Sequence, residues 1–352
     1  MTAVDAIGAD RAAVAVHPVV AAPLRAFCEA GVRWCLLRGA SEAVRLGGDV
    51  DLLVDPRDLA VVRRLLCSDN GFAELRAWGR GPHRFFVAYV ETEGAWAKLD
   101  VVTALRFGRW QQLPTGAAGA VLAAARDDGV VALPAPADAF WLALLHALLD
   151  RDRVRPERAR ELTRLARAAP GAGGPLAAVA DAASPPGWSA ARIVDAAARA
   201  RLPELLALAP ALRARWPGAP RAVRAARAGL RIALRRLDRA RPRRPGPTVA
   251  LVGGPPRARA DLAAALTAAW PERSVALDGA MGPTWAAARA RGRLVVLQAP
   301  GGGAAASRAD VRVRLGLGHD LLEARRSALG AAWRVAQQRG RMTWNSRSRS
   351  TG

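Results

Sequence analysis

Asp49 and Asp51 stand two residues apart in the apolar run DVDLLV (49–54), and Asp100 lies in a second apolar stretch, AWAKLDVV (95–102). Alternation along a strand puts Asp49 and Asp51 on one face. Two carboxylates crowded on one face repel each other unless a cation stands between them, and hard cations such as Mg²⁺ take oxygen ligands. A third carboxylate from a neighbouring strand completes a set able to hold two metals. Such a pair can activate an attacking hydroxyl and support a leaving pyrophosphate. Lys98 shares a face with Asp100 by the same alternation and offers a compact charge to a phosphate. Upstream, Leu37-Arg38-Gly39-Ala40-Ser41 closes a strand-like run and opens a loop. Gly39 there lets backbone amides approach a triphosphate, with Arg38 and Ser41 as further donors.

The elements that must position these groups follow from local pattern. Residues 16–30 have helical apolar spacing, and 33–37 form a short strand. The strand 49–54 is stopped by Asp55-Pro56, and 56–67 reads as a helix with Asp55 as its cap. Residues 84–90 and 95–102 are two strands joined by the turn ETEG (91–94), a hairpin. Residues 137–245 are rich in Ala, Leu and Arg with helical periodicity, broken at 170–175 and 184–188. In the last of these helices, about 219–241, arginines at 221, 224, 227, 231, 235, 236 and 239 recur mostly at three- and four-residue steps and share one face. After PRRPGP (242–247), a strand at 248–252, a Gly/Pro turn, a helix at 260–270 and a strand at 294–297 predict a small parallel unit. The expected fold class is α/β with four parts: a mixed sheet with helices over 1–135, a helical segment over 136–245, an α/β unit over 246–340 and a disordered tail over 341–352.

At the carboxylates and the glycine turn the chain resembles the nucleotidyltransferase superfamily related to DNA polymerase β, over roughly its first third. The matching residues are Leu37 to Ser41, then Asp49-Val50-Asp51-Leu52, then Asp100. The serine stands one place late, after Ala40, and the loop to Asp49 is slightly short. The resemblance implies an Mg²⁺-dependent transfer of a nucleoside monophosphate from an NTP to a hydroxyl of a small molecule or a protein. Asp49, Asp51 and Asp100 would be the metal-binding and catalytic residues, and Arg38, Gly39, Ser41 and Lys98 would meet the nucleotide. Residues 246–270 resemble the first strand, loop and helix of a thymidylate-kinase-like P-loop domain. With Gly253 as the first glycine of a G-x-x-x-x-G-K-[ST] loop, Ala258, Arg259 and Ala260 replace the glycine, lysine and hydroxyl residue. Pro255 and Pro256 remove two backbone donors, and Gln298-Ala299 stands where such kinases carry Asp-Arg. The resemblance therefore implies a degenerate, pseudokinase-like unit with a structural or docking role.

Bulk properties bound the alternatives. The net charge of +23 invites a polyanion partner, and Arg221–Arg239 is the place for nucleic-acid or anionic-membrane contact. Lys98 is the sole lysine, however, and the chain is crowded with Ala, Gly and Pro. That bias follows a GC-rich coding sequence and weakens the inference from charge. A solvated arginine face, or one docked on the acidic transferase region, is the simpler reading, and stacking aromatics are missing from it. No apolar run is long enough to span a membrane, and acidic residues near the N-terminus replace a secretion signal, so a cytoplasmic protein is expected. Cys28, Cys35 and Cys67 match no zinc spacing, and Cys28 and Cys35 read as buried thiols. His83 is either near the metal carboxylates or a turn residue; His146 reads as a core or boundary residue, His319 as helix-start chemistry, and His17 is uninformative. A non-catalytic scaffold of decayed nucleotide-binding domains and a polyanion-binding protein are the two rival functions.

Overall fold

The chain folds as a mixed α/β protein in a computed structural model that describes residues 16–38, 46, 48–75, 81–127, 131–151, 154–169, 173–240, 246–270, 274–278, 283–290, 293–299, 307–315 and 320–338. The tail expected to be disordered, His319, Gly39 and Ser41 lie outside these residues. The N-terminal strands are β1 (Trp34–Arg38), β2 (Asp49–Val54), β3 (Ala73–Leu75), β4 (His83–Val90) and β5 (Ala95–Val102), in the sheet order β1-β2-β5-β4-β3. The chain divides into two compact units, residues 1–65, 78–83 and 99–236, and residues 66–77, 84–98 and 237–352.

In the first unit β1 runs antiparallel to β2, pairing Trp34 with Val54 and Leu36 with Leu52. The helix Pro18–Glu29 precedes them, and the one expected at 56–67 is shorter. It spans Leu59–Arg64 and continues as a π-helical turn over Leu65–Asp69. Asp55 is not its cap: Asp58 holds that position, and Asp55 Oδ1 accepts from the Arg57 amide instead. Short ladders join β6 (Arg106–Phe107) to β7 (Leu113–Pro114) and β8 (Arg126–Asp127) to β9 (Ala132–Leu133).

Helices Pro136–Leu145, Pro156–Ala168, Pro175–Ala183, Ala190–Ala198 and Leu202–Arg215 then supply most of the core. Three of them start on a proline, whose missing N–H costs nothing in the first turn. The Ser189 hydroxyl caps a fourth by accepting from Arg192 N. Phe140, Trp141, Leu144, Leu162, Leu176, Ile193 and Leu205 pack with Cys35 and Leu53 of the sheet. Burial there pushes the Cys35 thiol up to about 12, with a smaller contribution from the negative charge of Asp138. Cys28, expected to be buried, is exposed.

The long helix Arg221–Ala240 follows. Its arginine row turns inward at Arg224, Arg227, Arg231 and Arg235, while Arg221 and Arg236 are exposed. Arg224 is buried, and its guanidinium donates to the carbonyls of Arg213, Ala214 and Trp216, each at 3.0 Å. These are carbonyls at the end of Leu202–Arg215, which lack intrahelical donors. Arg227, Arg231 and Arg235 are half-buried along the same face. The outward face instead carries Val223, Leu230 and Leu237, the last two 61% and 57% exposed.

In the second unit β10 (Thr248–Gly253), β11 (Ser274–Asp278), β12 (Leu294–Ala299) and β13 (Val311–Leu315) form a wholly parallel sheet in the order β11-β12-β10-β13. Helices Pro256–Ala269, Pro283–Ala290 and Leu321–Gln338 accompany it. Trp96 anchors this core. Its indole N–H donates to Ala269 O at 2.7 Å, and its ring meets Trp270 and Trp333 edge-on at 5.7 and 4.9 Å. No helix among the described residues is long and apolar enough to cross a membrane.

Asp138 is the odd residue of the first core: it is buried and its Oδ1 has no hydrogen-bond partner. Desolvation holds its carboxyl above the ordinary carboxylate range. A raised carboxyl favours the folded state while protonated, so its contribution is present below about pH 4 and is lost as pH rises through the folded value. Asp138→Asn should therefore melt higher than the parent at pH 7, by about 2–4 °C for each kcal/mol gained, with the gap closing towards pH 4. Calorimetric scans across that range check it, and a gap that widens in acid contradicts it.

Candidate functional site

β2 owes its form to a run of apolar residues closed by Asp55-Pro56. Val50, Leu52, Leu53 and Val54 are buried, while Asp49 is exposed and Asp51 half-buried. The two carboxylates therefore share the less buried face of β2, which lies between β1 and β5. β1 carries an irregularity between Leu36 and Arg38 that brings Arg38 opposite Asp51 in the register. A bulge at this point re-aims the strand end, and it does so where the backbone enters the residues around Gly39 and Ser41.

Asp100 stands on β5, next to β2 in the sheet, buried between Leu99 and Val101. It has a partner that the sequence only hinted at. His83, the first residue of β4, brings Nδ1 within 2.8 Å of both Asp100 oxygens. The turn Gly81-Pro82 delivers the imidazole there. Gly81 takes φ +66°, and a Cβ on it would stand 2.5 Å from Gln111 Oε1 and 2.8 Å from Arg231 Nη2. The positive φ favours glycine there, while the two neighbours are the ends of flexible side chains. Lys98 is half-buried on β5 two residues before Asp100 and belongs to the second compact unit.

The donor chemistry of Asp49 and Asp51 suits a hard cation, since both offer oxygen alone. Asp100 is drawn to His83, and no three of the described His, Cys, Asp and Glu residues are grouped so as to hold a metal. β2 thus carries a pair of carboxylates on one face, and the adjacent strand carries a third that an imidazole engages.

A second His–Asp pair shapes the loop after β6. His146 Nδ1 meets Asp150 Oδ2 at 2.6 Å, and Asp150 Oδ1 accepts from the Gly108 amide. Both residues lie in a π-helical turn, His146–Arg151, that continues Pro136–Leu145. His146 is thus a boundary residue that fixes a loop.

In the second unit the glycine loop has a definite occupant. Gly253 and Gly254 end β10 with φ +72° and +65°, and the helix Pro256–Ala269 follows at once. The connection from β10 runs to one side of the sheet and that from β12 to the other, so the crossover reverses at β10. Ligands of open parallel sheets bind at such a reversal. Here the guanidinium of buried Arg259 donates to Gly253 O at 3.1 Å and to Gly254 O at 2.5 Å. The loop thus turns carbonyls towards a fixed cation. A Cβ at Gly254 would meet Leu315 Cβ at 2.7 Å, so the loop also lies tight against β13.

No protein family matches the chain, and no curated protein or solved structure matches it.

The His83–Asp100 contact is partly buried, and its removal leaves a carboxylate without its donor. His83→Ala should lower stability by about 1–3 kcal/mol. Asp100→Asn added to it should cost less than the sum of the two single changes. Urea unfolding of the four proteins tests the coupling, and strictly additive losses would show that the imidazole does nothing for Asp100.

Proposed function

We propose that the first unit is a nucleotidyltransferase, which moves a nucleoside monophosphate from an NTP to a hydroxyl acceptor, a small molecule or a protein. The observation that carries this reading is the disposition of three carboxylates. Asp49 and Asp51 share one face of β2, and Asp100 stands on the neighbouring strand of the same sheet. Asp49 and Asp51 would hold Mg²⁺; Asp100, engaged by His83 in this structure, would have to turn from the imidazole to complete the set. When bound, the ion would neutralise charge on the triphosphate and leaving group.

The chain's own residues do the rest. The acceptor oxygen bonds to the α-phosphorus, the α–β bridging P–O bond breaks, and pyrophosphate leaves. The hydroxyl proton passes to Asp100, which His83 holds by both oxygens. Arg38, Gly39 and Ser41 would meet the triphosphate. The bulge at the end of β1 supports the first of these, because it brings Arg38 into register with Asp51. The second unit would keep a nucleotide-binding architecture without the binding. Arg259 lying on the Gly253 and Gly254 carbonyls supports that view, and it is also the observation that favours the rival reading of a non-catalytic scaffold.

A thermal-shift titration with Mg²⁺ and each NTP separates the two. A ligand at a hundredfold excess over its dissociation constant stabilises the folded state by about 2.7 kcal/mol. The parent chain should show a metal-dependent rise in melting temperature with at least one NTP, and Asp49→Asn/Asp51→Asn should lose it. Transfer of an α-labelled nucleotide should vanish in Asp49→Ala. A parent chain that ignores every NTP would move the assignment to the scaffold.

A further inference from the structure

The loop after β6 and the inner face of Arg221–Ala240 bring arginines together without acidic partners. Arg106 opens the loop. Arg231 donates to Trp110 O and to Gln111 Oε1, the latter at 3.3 Å. Arg227 lies one turn before Arg231 on the same helix face. Arg235 and Arg109 stand over the Trp110 ring, at 4.8 and 5.6 Å from its centroid. None of Arg106, Arg227 and Arg231 is paired with a carboxylate among the described residues. The carboxylate that meets this loop, Asp150, is committed to Gly108 and His146. Burial, and then mutual repulsion, holds Arg106 and Arg231 below the ordinary arginine range. A half-buried group of like charges is a cost that a folded chain keeps only if something offsets it.

We propose that Arg106, Arg227 and Arg231 bind the phosphate of a phosphorylated small-molecule acceptor. Arg227 and Arg231, four residues apart on one helix, and Arg106 at the start of the loop that Arg231 meets offer guanidinia suited to a compact dianion, whose oxygens such planar groups bind. A nucleic-acid track asks for something else, a string of exposed cations along the surface. Of the arginines on this helix whose side chains are described, only Arg221 and Arg236 are exposed. The place suits an acceptor. Gly81, against which Arg231 Nη2 lies, is two residues from His83, whose imidazole holds Asp100. A phosphate seated on the arginines would present the remainder of its molecule beside the group that takes the acceptor's proton. The word acceptor rests on the nucleotidyltransferase reading; phosphate binding does not.

The test uses the full chain, without metal or NTP, and the probes are inorganic phosphate and ribose 5-phosphate in calorimetric titration and thermal shift. The parent should bind both, and Asp49→Asn/Asp51→Asn should bind them equally well. Arg227→Gln is the main variant, because the Arg227 side chain donates no hydrogen bond among the described residues that its loss would orphan. Without phosphate it should melt at or above the parent, since repulsion is relieved. With phosphate it should bind about tenfold more weakly or worse, as expected for one charge-assisted contact. Arg106→Gln should behave alike. Mg²⁺ and NTP added to the phosphate-saturated parent should bind without displacing phosphate. Displacement would overturn the proposal by assigning the arginines to the donor's own phosphates. Failure of the parent to bind either probe, or tight and steeply salt-dependent binding of a single-stranded RNA that phosphate cannot displace, would overturn it too. NTP binding lost while phosphate binding persists would instead remove the transferase reading and leave the anion site.

Discussion

The buried guanidinium of Arg224 decides which way the longest helix of the chain faces. It satisfies three carbonyls at the end of Leu202–Arg215, where a cation is also favoured by the helix dipole. Rotating Arg221–Ala240 would orphan those carbonyls and the arginine together. With the helix held in that sense, Arg227 and Arg231 follow one and two turns later, on the loop that starts at Arg106. Arg231 reaches the turn at Gly81, where a positive φ favours glycine. One contact between a side chain and a helix end therefore propagates to the turn that carries His83, and through His83 to Asp100.

The first sheet shows a similar economy. On β2, Val50, Leu52 and Val54 are buried on one face, and Asp49 and Asp51 stand on the other, in line with buried Leu53. Asp100 is buried on β5, and His83 is the partner that its carboxylate meets there. Backbone alternation creates the carboxylate grouping, and one imidazole makes its buried member tolerable. In the second unit the same logic works in reverse. Arg259 satisfies carbonyls that a phosphate-binding loop would turn away from its ligand, and the proline pair removes amides that would replace them.

The strands at the carboxylates were legible because their apolar runs are bounded by strong local punctuation, Asp55-Pro56 after one and the ETEG turn before the other. The helix at 221–240 was equally plain from its spacing. Its direction was not. Periodicity tells which arginines share a face and says nothing about whether that face meets water or carbonyls. The row read as solvated, or as docked on the acidic region, and it is turned inward on backbone groups. VRVRL (311–315) and SVALD (274–278) passed unnoticed because charged or small residues break their apolar runs, although Val311, Val313 and Leu315 do alternate with exposed arginines. The pairing of His83 with Asp100 spans 17 residues, a separation at which pattern carries no information and only the assembled sheet does.

The outward side of Arg221–Ala240 places Val223, Leu230 and Leu237 at intervals of seven, a repeat that keeps apolar groups in line along a helix. A chain of net charge +23 keeps copies of itself apart by long-range repulsion. That repulsion fades as added salt shortens the screening length to about 3 Å at 1 M, while the attraction between apolar rows does not fade. Added salt thus loosens anything held by the arginines while leaving the exposed leucines of the same helix as apolar as before.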